Sequence, residues 1–106
     1  MTVPTEIPTV TLTGDVTMPM VGFGTWPMKG HQACEAVLSA LRAGYRHVDT
    51  ATMYANEAEV GHAMRDSGLP RQDVFLTSKL RATDAGRERA ILTGSLRALG
   101  TDHLDL

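Results

Sequence analysis

One cysteine, one tryptophan, two tyrosines and two phenylalanines are all that this 106-residue sequence holds of those residue types. With Cys34 alone, no internal disulfide can form, and its place on an apolar helical stripe suits a core thiol better than a reactive one. A reducing, cytoplasmic setting is the expectation. Long apolar runs are missing too. Nothing approaches the roughly 20 consecutive apolar residues of a membrane-spanning helix, and the start, Met1-Thr2-Val3-Pro4-Thr5-Glu6, lacks the basic-then-apolar order of an export signal. Charge of one sign does not dominate: ten Lys+Arg stand against twelve Asp+Glu, a formal net charge of −2. The basic residues never gather into a run, so neither nucleic acid nor an anionic membrane is an expected partner. His31, His47, His62 and His103 share no metal-ligand spacing; all four read as structural or surface, and no metal is expected.

What is present is ordinary for one globular unit over residues 1–106: 42% hydrophobic and 21% charged residues. Residues 8–20 hold two short alternating pieces, Thr9-Val10-Thr11-Leu12 and Val16-Thr17-Met18, around Thr13-Gly14-Asp15, which predicts a β-hairpin. A strand, Val21-Gly22-Phe23, follows, and then a helix from about Gln32 to Ala43. In that helix Cys34, Val37, Leu38 and Leu41 fall at i, i+3, i+4, i+7, with Gly44 as C-cap.

The plan then repeats. Arg46-His47-Val48-Asp49 predicts a strand, and the next helix opens at Asn56 with Glu59 as capping-box partner and Val60, Ala63 and Met64 as its inner face. Val74 to Ser78 predicts a third strand, and a helix from Asp84 carries Leu92, Leu96 and Leu99 and ends at Gly100. Thr101 to Leu106 begins a fourth strand. Strand centres near Phe23, Val48, Leu76 and Leu104 are 25, 28 and 28 residues apart, the mark of uninterrupted βα units and a parallel α/β architecture.

Two parallel architectures compete. Gly22-Phe23-Gly24 invites a dinucleotide-binding G-x-G-x-x-G turn, but Pro27 stands where the third glycine belongs, and the helix starts too late to hold a pyrophosphate there. A (β/α)₈ TIM barrel is the stronger reading. Such a barrel needs roughly 250 residues, so the expected fold is its N-terminal part, preceded by the hairpin and truncated at the fourth strand. An array open in this way exposes a strand edge and is expected to self-associate. In any parallel β/α array the ends of adjacent strands lie side by side, which brings Asp49, Tyr54 and Lys79 to one rim.

The residues Met18-Pro19-Met20-Val21-Gly22-Phe23-Gly24-Thr25-Trp26, Gly44-Tyr45-Arg46-His47-Val48-Asp49-Thr50-Ala51, Tyr54-Ala55-Asn56-Glu57-Ala58-Glu59-Val60-Gly61 and Phe75-Leu76-Thr77-Ser78-Lys79-Leu80 resemble the aldo-keto reductases, in that family's order and intervals. The closing run Ser95 to Leu106 is similar to the one leading into the family's fourth strand. The resemblance implies reduction of an aldehyde or ketone to an alcohol by NADPH, with NADH as the alternative, on a small carbonyl substrate, by a monomeric complete protein. It implies Tyr54 as general acid, Lys79 beside it and Asp49 paired to the lysine. It also implies Gly24, Thr25, Trp26 and Asp49 as cofactor contacts, with Trp26 and Tyr54 bordering the substrate.

The chemistry of those residue types agrees. A free tyrosine, with a pKa of about 10, donates poorly at neutral pH, and a nearby ammonium stabilises the phenolate. A carboxylate keeps such a lysine charged and oriented. Taken singly, each residue has a plainer explanation. Tyr54 would pack, Asp49 and Lys79 would be solvated strand ends, Trp26 would be core, Gly22 and Gly24 would be turn residues, and Asn56, Glu57 and Glu59 would start a helix.

Two departures from the family pattern stand out. Leu80 is followed by Arg81 and Ala82 where an aromatic is usual, and the family's catalytic histidine lies beyond the fourth strand, past Leu106. The 106 residues alone are therefore expected to be inactive. Two other classes fit less well. A nucleotide-binding sensor subunit or inactive remnant has no use for a tuned phenol, and a barrel hydrolase needs a second carboxylate or a metal cluster.

Overall fold

A computed structural model describes residues 6–106; residues 1–5, included in the expected single domain, lie outside the described residues. The expected hairpin forms. Strands β1 (Thr9–Thr11) and β2 (Thr17–Pro19) pair antiparallel, Thr9 opposite Pro19 and Thr11 opposite Thr17. Between them a short 3₁₀ turn, Thr13–Asp15, takes left-handed backbone at Gly14 and Asp15.

Three parallel strands follow in spatial order: β3 (Phe23–Gly24), β4 (His47–Asp49) and β5 (Phe75–Thr77). Their register sets Phe23 beside Val48 and Val48 beside Leu76. Alternation then puts Val48 and Leu76, both fully buried, on the face covered by helices. Gly24, Asp49 and Thr77 form the next row, at the C-terminal ends of the strands. At the other end His47 ties the hairpin to the sheet. Its Nδ1 meets the Pro19 carbonyl at 3.1 Å, its Nε2 meets Thr77 Oγ1 at 2.9 Å, and its ring stands edge-on to Phe75.

Helices α1 (Gly30–Ala43), α2 (Glu57–Asp66) and α3 (Glu88–Leu99) cover one face of the sheet, α1 against α2 and α2 against α3. The α1 stripe behaves as its spacing predicts: Val37 and Leu41 are buried, and Cys34 and Leu38 lean on the same core. Each buried Val or Leu contributes about 1.5–3 kcal/mol. Gly44, at φ 111°, donates its N–H to the Ala40 and Leu41 carbonyls and closes the helix as expected. Gly61 has a different reason to be glycine, since a Cβ there would collide with the Leu99 carbonyl. Close approach of α2 to α3 requires its absence.

Several expectations need correction. Helix α1 starts at Gly30, ahead of Gln32, and α3 starts at Glu88 and not Asp84, because a 3₁₀ turn at Ala82–Asp84 comes first. Ser95 and Leu99 are buried, while Leu92 is 43% exposed and borders an open apolar depression with Leu80, Leu104 and Leu106. The capping box at Asn56 does not form; the asparagine side chain is engaged elsewhere.

Residues 101–106 do not form a regular fourth strand, but they run against β5. Asp105 N–H donates to the Leu76 carbonyl and Ser78 N–H to the Leu106 carbonyl. Arg71 pins this segment, donating to Thr101 Oγ1, the His103 carbonyl and Asp105 Oδ2.

Candidate active site

The row at the strand ends continues into three loops, and these carry the site. Lys79, two residues past β5, donates to Asp49 Oδ1 at 2.7 Å, to the Thr50 carbonyl at 3.1 Å and to the Tyr54 hydroxyl at 3.4 Å. Its ammonium also lies 5.2 Å from the centre of the Tyr54 ring, within cation–π range. Carboxylate, ammonium and phenol thus meet as the spacing of strand ends predicted. Tyr54 is half-buried and ends a short 3₁₀ turn, Thr52–Tyr54. That turn is fastened to the lysine segment by two hydrogen bonds, from Thr52 N–H and Thr52 Oγ1, both to the Lys79 carbonyl. Ala55, immediately after it, adopts left-handed backbone at φ 55°. A non-glycine residue there stores local strain of the kind found at functional sites.

Burial pulls the Lys79 ammonium toward its neutral form, but its hydrogen bonds to Asp49 and then Tyr54 outweigh this, so its pKa is raised above the ordinary 10.5. The side chain stays charged at neutral pH. A raised folded-state value means that the ion pair's contribution to stability is complete below about 10.5 and is lost as pH climbs through the raised value. Melting curves of wild type and Lys79→Met are therefore expected to differ by a constant amount up to about pH 10 and to converge above it. Convergence already between pH 7 and 9 would contradict the pairing.

Sequence reasoning missed the device that holds this rim together. Asn56 is fully buried at the start of α2. Its Nδ2 donates to Thr25 Oγ1 at 3.0 Å, to the Thr25 carbonyl at 3.3 Å and to the Met28 carbonyl at 3.0 Å, while its Oδ1 accepts from Thr50 Oγ1 at 2.6 Å. Thr25, also fully buried, donates its hydroxyl to the Asp49 carbonyl. One amide therefore joins the loop after β3, the end of β4 and the turn bearing Tyr54. The Thr25 side chain, expected at the cofactor, is engaged beneath the rim with Asp49 and Asn56. Glu57 also does more than start a helix, accepting from Ser78 Oγ at 2.7 Å.

The remaining predicted residues sit at the mouth. Trp26 is 69% exposed, which overturns the core reading of the lone tryptophan. At Gly24 a Cβ would meet no atom within 4 Å, so the backbone end of β3 is open to a ligand. An open glycine and an exposed indole therefore follow one another at the end of β3, whose Gly24 is paired with Asp49.

A row of parallel βα units thus presents a phenol, an ammonium and a carboxylate in contact at its strand ends. The sequence matches the model of the Aldo/keto reductase family over residues 20–106, and the chain belongs to that family. It is 45% identical over 98 residues to aldehyde reductase YPR1 of Saccharomyces cerevisiae, covering 92% of this chain and 31% of the relative. It is 48% identical over 89 residues to glycerol 2-dehydrogenase (NADP(+)) of the same yeast, covering 84% of this chain and 28% of the relative. The crystal structure of an aldo/keto reductase from Brucella melitensis superimposes with a TM-score of 0.89 at 44% identity, over 93% of this chain and 40% of that one. The chain thus spans about a third of the length of the curated relatives it matches. Among the described residues, no helix is long and apolar enough to cross a membrane.

Proposed function

We propose that these residues are the first three βα units of a (β/α)₈ barrel that reduces aldehydes or ketones to alcohols with NADPH in the cytosol. The observation that carries the reading is the contact of Lys79 Nζ with both Asp49 Oδ1 and the Tyr54 hydroxyl. Gly24, Thr25, Trp26 and Asp49 would hold the nicotinamide cofactor. When bound, that group supplies the hydride.

This chain's own residues handle the proton. Tyr54 donates from its hydroxyl to the carbonyl oxygen of the substrate as negative charge develops there, and Lys79 lies beside the phenolate left behind. Asp49 and the Thr50 carbonyl fix the ammonium so that it does not turn away into solvent. Acid catalysis of this kind contributes about 10²- to 10⁴-fold in rate. Thr52, by binding the Lys79 carbonyl twice, holds donor and cation in one geometry.

The relatives named as an aldehyde reductase and an NADP(+) glycerol dehydrogenase support this substrate and cofactor class. The 106 residues by themselves leave Leu80, Leu92, Leu104 and Leu106 around an open depression, a face that favours self-association. The test is an assay of the complete protein with NADPH and a simple aliphatic aldehyde, followed by loss of the reduced-nicotinamide absorbance. Aldehyde-dependent oxidation with alcohol as product is the expected result. Binding of NADPH without turnover would instead indicate a nucleotide-binding subunit.

A further inference from the structure

Away from the rim, the outer side of the α1–α2 pair gathers a second set of chemistry-bearing side chains. His62 and Asp66 are one turn apart on α2, and their Nε2 and Oδ2 atoms are 3.2 Å apart. Cys34 projects from α1 toward them. One ligand atom from each of the three, thiol sulfur, ring nitrogen and carboxylate oxygen, lies within 4.8 Å of the other two. Beside them an open depression is lined by Gly30, His31, Cys34, Ala58, Glu59 and His62. The thiol is anchored, since Cys34 leans on the core, whereas His62 and Asp66 are free to adjust at 62% and 50% exposure.

A cysteine, a histidine and an aspartate in contact suit either a nucleophile or a cation site. A nucleophilic thiolate needs positive surroundings. Here the reverse holds: burial, followed by the carboxylates of Asp66, Glu35 and Glu59, pushes the thiol up. Negative charge gathered around soft and borderline donors suits a metal ion. Sulfur, imidazole nitrogen and carboxylate oxygen together favour a zinc-class ion over calcium or magnesium, which prefer oxygen alone.

We propose that Cys34, His62 and Asp66 form a binding site for a divalent ion of the zinc class, bridging α1 and α2 on the outside of the fold. Bonds of about 2.0–2.3 Å to a four-coordinate ion need only small rotations of the two exposed side chains. The fourth position falls to His31 or Glu59, which line the same depression, or to water. Binding deprotonates the Cys34 thiol, and that proton goes to solvent. The spacing of histidines along the chain gave no sign of this, because the ligands come from two helices.

Cobalt(II) titration tests the site directly. Cys34 is the only cysteine in the sequence, so a thiolate-to-cobalt charge-transfer band reports this site alone. The expected result is a saturable band at one ion per chain, displaced by zinc and absent in Cys34→Ser. By mass action, zinc at ten times its Kd leaves about one-tenth of the thiol free, so modification of Cys34 by a disulfide reagent slows about tenfold. His62→Gln and Asp66→Asn, at exposed positions where circular dichroism is expected to report an intact fold, each weaken cobalt binding at least about tenfold. No band at saturating cobalt, or His62→Gln and Asp66→Asn proteins that bind as tightly as wild type, would overturn the assignment.

Discussion

Replacing Tyr54 by phenylalanine in the complete protein is expected to lower kcat for aldehyde reduction by about 10²- to 10⁴-fold while leaving NADPH affinity within about twofold. The separation follows from geometry. The hydroxyl is the atom that Lys79 Nζ approaches at 3.4 Å, and removing it leaves the ring, the turn Thr52–Tyr54 and its two bonds to the Lys79 carbonyl in place. Only the proton is lost. Steady-state rates together with fluorescence titration of the nucleotide check both halves. A kcat within threefold of wild type would remove Tyr54 from the chemistry.

The second large effect concerns stability. Asn56→Ala is expected to destabilise the fold by about 2–4 kcal/mol, because it strands buried groups that the amide now satisfies. The Thr25 hydroxyl and carbonyl and the Met28 carbonyl lose a donor, and the Thr50 hydroxyl loses its acceptor. For a domain of this size that corresponds to a fall in melting temperature of at least about 10 °C. The functional consequence extends to the rim, since Thr25 reaches the Asp49 carbonyl and Asp49 holds Lys79. Differential scanning calorimetry gives the answer, and an unchanged melting temperature would show that the buried network carries no such weight.

These two residues also mark how far the sequence could be read. Asp49 and Lys79 were legible because parallel strands of similar spacing bring their ends together, and Tyr54 because it falls in the loop between them. Asn56 was not. An asparagine before a helix with a glutamate three residues on carries the signature of an N-cap, and only the approach of the Thr25 loop turns its amide to another use. Leu92 lies on the third helix as its spacing predicts, but helical periodicity does not say what covers a stripe, and Leu92 faces the open depression with Leu80, Leu104 and Leu106. Trp26 was ambiguous for a related reason: composition says that a lone tryptophan is buried on average, and only the loop's position at the mouth exposes it. The Cys34, His62 and Asp66 cluster crosses between helices, so no linear pattern could reveal it.

The central claim, that the Tyr54 hydroxyl delivers the proton under the influence of Lys79, has one direct test. Site-specific replacement of Tyr54 by a fluorinated tyrosine changes the acidity of the phenol and little else. A general acid must be protonated to act, so the rate of reduction falls as pH rises through its apparent pKa. With the more acidic phenol that fall is expected to move to lower pH in the kcat/KM profile. A profile that stays where the wild type has it would contradict the assignment.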